Sequence, residues 1–112
     1  MTVVLKLGGS LITDKDRRET LDDGALSAAA DAVAEADTDL ALVHGAGSFG
    51  HHYAEKHGVS VTEGTRDAGA TLEIHGSMTT LNRFVLARLH DRDVPALPVH
   101  PLSTAARDAE GT

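Results

Sequence analysis

Two short stretches of this sequence carry residue types suited to holding phosphate. The first is "KLGGS", residues 6–10. The second is "HGAGSFGHH", residues 44–52, with three glycines and three histidines in nine positions. Glycine lets a backbone approach closely and adopt positive φ, so that successive N–H groups can point at anion oxygens. Glycine also costs roughly 1 kcal/mol against alanine inside a helix, which predicts a loop over 44–52. Lys6 lies within the apolar run "VVLKLGG" and is costly to bury unless an anion meets it. Lys15 follows in the next loop. Two cations and two glycine loops suit a substrate with several phosphates. The chemistry they imply is phosphoryl transfer, in which positioning and charge stabilisation dominate.

Other motifs fit less well. A Walker A sequence, GxxxxGK[ST], is absent. "GAGSFG" spells G-x-G-x-x-G, but the dinucleotide fingerprint follows a first strand, whereas this one follows the second and is closed by His51. His51, His52 and His57 lack a companion set at metal-ligand spacing. His44 ends an apolar run and reads as a hydrogen-bonded packing residue, and His75 as structural or solvent-facing. Plainer readings stand beside the chemical ones: Lys6 as an edge-strand surface charge, Lys15 as a solvated loop charge amid "DKDRR".

The elements that must position these residues follow from periodicity. "TVVLKL", residues 2–7, predicts a buried strand, and "GGSLITDKD" a loop. Residues 20–36 predict a helix capped by Thr20, and 39–43 a second strand. "HHYAEKHG" suits one or two helical turns ended by Gly58. A long helix is expected over 66–91, where Ile74, Met78, Leu81, Val85 and Leu89 form one apolar stripe. "ALPVH", 96–100, is expected to be a third strand, at an edge because of Pro98. The tail from 101 has no strong pattern. Alternation of strand and helix argues an α/β fold with a parallel sheet, and ligands in such sheets bind at the carboxyl ends of strands, where both glycine loops fall.

The 112 residues suffice for one domain. With no cysteine, disulfides, thiolate metal sites and a Cys nucleophile are excluded. The net charge of −7 is spread along the chain and argues against nucleic-acid or membrane partners. There is no leader and no apolar run of membrane-spanning length, so a cytoplasmic protein is expected. Many aspartates with three lysines resemble the proteins of salt-loving organisms.

"LKLGGSLITDK" followed by "LVHGAGSFGHH" resembles the amino acid kinase superfamily and, in the histidine directly after "GSFG", the isopentenyl phosphate kinases within it. The resemblance is close over residues 3–15 and 39–52 and looser beyond. It implies a three-layer α/β sandwich with a mostly parallel sheet, and ATP-dependent conversion of isopentenyl phosphate to isopentenyl diphosphate in isoprenoid biosynthesis, with Mg²⁺ carried by ATP. By matching position, Lys6, Leu7, Gly8, Gly9 and Ser10 would wrap the ATP phosphates, with Ala46 facing ATP. Lys15 would stabilise charge on the transferring group. Gly45 and Gly50 would offer N–H groups to the substrate phosphate, and His51 would hydrogen-bond it. The long helix would present Ile74, Met78 and Leu81 to the isoprenoid tail.

Members of this superfamily are considerably longer, and commonly homodimers. Residues 1–112 are accordingly expected to be the N-terminal, substrate-side part of the kinase domain without its nucleotide-binding half, with doubtful activity alone. The family often has a further glycine where Ala46 stands. Other readings are another small-molecule kinase of the superfamily, acting on acetylglutamate, carbamate, uridylate or a phosphonate, and a non-catalytic phosphate- or nucleotide-binding fragment.

Overall fold

The structure is a computed structural model that describes residues 1–60 and 62–106. Strand β1 (Thr2–Leu7) and strand β2 (Asp39–His44) pair in parallel, with Leu5 opposite Leu42 and Leu7 opposite His44. Along β2 the pleat alternates: Leu40, Leu42 and His44 are half-buried, while Asp39, Ala41 and Val43 are exposed. Between the strands run the single turn α1 (Gly9–Ile12) and helix α2 (Asp23–Glu35). Helix α3 (Gly47–Lys56), the long α4 (Ala68–His90) and the short α5 (Pro101–Thr104) follow β2.

One core joins these elements. Leu7 of β1, Ile12 of α1, Leu26 and Val33 of α2 and Leu81 and Val85 of α4 are buried together, with Leu40 and Leu42 packed against them. The stripe on α4 behaves as expected: Leu81, Val85 and Leu89 are each at most 3% exposed. Helix α2 is also tied by ion pairs to α4 and to the turn after it, Asp23 to Arg88 at 2.7 Å and Asp31 to Arg92 at 2.5 Å.

Helix boundaries follow local capping. Helix α4 starts where the Asp67 carboxylate accepts from the Ala70 N–H at 3.1 Å. Helix α2 starts later than expected, because its cap is Asp22, which accepts from Ala25 N at 3.0 Å. Thr20 is occupied elsewhere, its N–H donating to Ser48 Oγ at 3.2 Å.

Three further expectations need correction. The glycine-rich stretch is not all loop: residues 47–56 are helical. Tertiary contact outweighs glycine's low propensity there: α3 packs on α1 and α4, and the missing side chain of Gly50 lets Met78 of α4 come close. The loop "GGSLITDKD" contains α1, closed by Ile12 N to Gly8 O at 3.4 Å and Thr13 N to Gly9 O at 3.0 Å. Residues 96–100 are not a strand. Pro98 has no N–H to offer, the Ala96 N–H turns back to Val94 O at 2.9 Å, and Leu97 and Val99 stay exposed. Among the described residues the helices cover one face of a two-stranded sheet, and Val4 on the other face is 71% exposed.

Candidate active site

Both glycine turns lie at the carboxyl ends of the parallel strands, and they touch backbone to backbone. The Gly45 N–H donates to Leu7 O at 3.0 Å, extending the ladder past the strand ends. A Cβ on Gly45 would lie 2.7 Å from Gly9 N, and one on Gly9 would lie 3.0 Å from Ala46 N and collide with Gly47. Gly47 itself has φ +51. Glycine at these positions therefore allows close approach of two chain segments.

The expected site residues are placed as follows. Leu7 is buried at the end of β1, and Gly8 caps α1 with φ −61. Ser10 is exposed on α1. Lys6 is exposed one residue before the strand end, opposite Val43 in the ladder. Lys15 is exposed too and lines a cavity of about 410 Å³ with Ser10, Thr13, Asp14, Asp16 and Asp22. Ala46 caps α3, accepting from Phe49 N at 3.1 Å. Gly50 is buried in α3, where a Cβ would sit 3.0 Å from Met78 Sδ. His51 follows it on the exposed side of the same helix. The Gly45 amide is engaged by Leu7, so donation to a phosphate would require that bond to open.

His44 is half-buried and bonded through both ring nitrogens. Nδ1–H donates to Gly45 O at 2.9 Å, and Nε2 accepts from Asn82 Nδ2 at 3.0 Å. This pair of partners assigns the Nδ1–H tautomer. Below His44 lies a largely apolar groove of about 930 Å³ between β2, α4 and residues 96–102. Ile74 and Met78 line it, but Leu81 does not: at 0% exposure it belongs to the core rather than to a ligand-facing wall.

Several residues of this region were not legible in sequence. The Ser48 N–H donates to Thr13 Oγ1 at 3.0 Å, and the Thr13 hydroxyl donates to Gly9 O at 2.6 Å. The Ser48 hydroxyl donates to Thr20 O at 3.2 Å, and the Glu19 N–H donates to Ser48 O at 3.1 Å. From α4, Ser77 Oγ donates to Phe49 O. Arg18 donates to the Tyr53 hydroxyl at 2.9 Å and stacks over the same ring at 5.1 Å, and that hydrogen bond raises its guanidinium pKa further. Small hydroxyls beside glycines were the available signal. Nothing in sequence says which of them are buried.

Comparison with known proteins agrees with this geometry. The profile of the amino acid kinase family matches residues 1–111. An isopentenyl phosphate kinase of Haloferax volcanii is 55% identical over 98% of this chain and 45% of its own length. That of Methanothermobacter thermautotrophicus is 36% identical over 88% of this chain and 40% of its own. A solved isopentenyl phosphate kinase superposes with a TM-score of 0.85 at 29% identity, covering 97% of this chain and 48% of that one. A product complex of the Thermoplasma acidophilum enzyme gives 0.72 at 28% identity, covering 83% and 39%. The chain thus spans under half the length of the relatives it matches. With two interlocked glycine turns at the ends of parallel strands and a family profile running through both, this chain belongs to the amino acid kinase family.

Proposed function

We propose that these residues form the phosphate-binding edge of an ATP-dependent kinase that converts isopentenyl phosphate to isopentenyl diphosphate. The observation that carries the reading is the backbone contact of Gly8–Gly9 with Gly45–Gly47, which brings the two glycine turns together at the carboxyl ends of the parallel strands. One turn would hold the nucleotide phosphates, and the other the acceptor phosphate. The 55% identity with the Haloferax volcanii isopentenyl phosphate kinase supports the same substrate pair.

In this reading an oxygen of the acceptor phosphate attacks the γ-phosphorus of ATP, and the bond to the β-phosphate oxygen breaks to release ADP. Lys6 and the turn from Leu7 to Ser10 bind the ATP phosphates, with Ala46 facing ATP. Mg²⁺ carried by ATP would supply further charge screening at the phosphates held by Lys6 and this turn. Lys15 meets the negative charge on the transferring group. His51 donates a hydrogen bond to the acceptor phosphate, beside the Gly50 amide. The isoprenoid tail extends toward the Ile74–Met78 side of the groove. Both substrates are soluble phosphate esters, which suits a cytoplasmic reaction. No described helix is long and apolar enough to cross a membrane.

A substrate panel tests the reading. The intact protein, given ATP and Mg²⁺, is expected to phosphorylate isopentenyl phosphate in preference to N-acetylglutamate, carbamate, UMP or a simple phosphonate. Preference for any of those acceptors overturns the substrate assignment, and absence of transfer to all of them overturns the kinase reading.

A further inference from the structure

We propose that the buried hydroxyls of Thr13 and Ser48 are positioning residues, fixing the Lys15 loop on the helix that carries His51, while Ser77 fastens α4 to the same turn; this rests on the kinase reading above. Among the described residues, these three are the buried polar side chains, at 2%, 6% and 7% exposure. None is left without a partner. All three converge on one turn of α3, at Ser48 and Phe49.

The wiring reaches each part of the site. Through Thr13, Ser48 is bonded to the Gly9 carbonyl in the first glycine turn. Through its own hydroxyl and carbonyl it holds Thr20 and Glu19, the far end of the Lys15 loop. The base of that loop is closed by Asp14 N to Thr20 O at 2.8 Å, and its tip is held by Arg18 on Tyr53 of α3. Ser77 fastens α4 to the Phe49 carbonyl, next to Gly50 and His51, and lies 3.4 Å from Glu19 Oε1. Lys15 therefore sits in a short loop pinned to α3 at both ends and at its tip.

Apolar packing does not account for these hydroxyls. Valine at 13 or alanine at 48 would occupy nearly the same space but leave the Ser48 or Thr20 N–H without its acceptor, so these hydroxyls satisfy backbone amides that apolar side chains cannot. What a hydrogen bond adds is direction, which matters where a charge must meet a transferring phosphoryl group. The backbone of Glu19 points the same way. It sits at φ +50, a left-handed conformation unfavourable for a glutamate, and such strain persists where the surroundings over-determine the chain.

The test compares Thr13→Val, Thr13→Ser and Ser48→Ala in the intact protein. It reads kcat and KM with isopentenyl phosphate, the folded fraction by circular dichroism, and amide hydrogen exchange over residues 14–20. For Thr13→Val we expect kcat lowered about 10- to 100-fold with KM changed by no more than about twofold, and faster exchange in the loop. Thr13→Ser, which keeps Oγ, should return kcat to within about threefold of wild type by restoring the same orientation. A folded Thr13→Val with wild-type kcat overturns the proposal, as does a Thr13→Ser no better than Thr13→Val. Should Thr13→Val not fold, Ser48→Ala is judged by the same criteria. A wild-type protein with no transfer to isopentenyl phosphate would fail the kinase reading instead. Exchange then decides alone: unchanged protection over 14–20 in the variants overturns the positioning role, and lost protection upholds it.

Discussion

Gly9 and Gly47 pack backbone against backbone: a Cβ on Gly47 would lie 2.5 Å from the Gly9 carbonyl oxygen and 2.9 Å from its carbonyl carbon. The Cβ would also strike the Thr13 hydroxyl, and the Gly9 atoms, being backbone, cannot swing aside. Gly47→Ala adds a positive-φ penalty to that overlap and should destabilise the protein by about 2–3 kcal/mol in urea unfolding. Gly9→Ala should fall in the same range. Gly64→Ala, with open space around it, should stay within about 0.5 kcal/mol of wild type. Equal effects at 9, 47 and 64 would refute the close approach.

Lys15 and His51 of the proposed mechanism should separate kinetically in the intact protein. Lys15→Ala should lower kcat by about 100-fold or more with a modest change in KM, because its charge acts on the transferring group. His51→Ala should chiefly raise KM for isopentenyl phosphate, by about tenfold or more for one charge-assisted hydrogen bond lost. Steady-state kinetics on both variants checks the split, and wild-type constants for His51→Ala would remove it from the acceptor site.

Helices α3 and α4 share a pH-sensitive clip. His57 Nε2 lies 2.5 Å from Glu73 Oε2, and Lys56 Nζ lies 3.1 Å from the same oxygen. The hydrogen bond from His57, and then that from Lys56, hold the Glu73 pKa below its ordinary value. Its carboxylate thus favours the folded state at pH values above the ordinary carboxylate range, and that contribution fades as pH falls through the lowered pKa. Melting temperature followed from pH 6 down to pH 3 should fall less steeply, by this clip's share, in Glu73→Gln than in wild type. Parallel curves would show that the clip adds nothing to acid sensitivity.

Gly76 lies in the interior of α4, where an added methyl would meet no atom within 4 Å and φ is not positive. Alanine there removes backbone freedom from the unfolded chain without meeting an obstacle. Gly76→Ala should stabilise the protein by about 0.5–1 kcal/mol, read by thermal or chemical unfolding. A loss of stability would mean that α4 is packed differently at this turn.

The amino-acid order alone determined the two strands, helices α2 and α4 and the glycine-rich segments at the strand ends, because period and turn chemistry are local properties, but it put the cap of α2 at Thr20 rather than Asp22. It also singled out Lys6, Lys15 and His51 as candidates by their closeness in sequence to those turns. Tertiary structure decided the rest. Residues 47–56 became helix because α3 packs on α1 and α4, an interaction that propensity does not contain. Residues 96–100 carry β-compatible apolar residues, yet a strand exists only when a neighbour accepts its hydrogen bonds, and Ala96 bonds within its own turn. Leu81 and Met78 lie on one apolar stripe, but burial alone separates the core residue from the one lining the groove. Thr13, Ser48 and Ser77 stand far apart in sequence, and only the fold brings their hydroxyls to a single turn of α3.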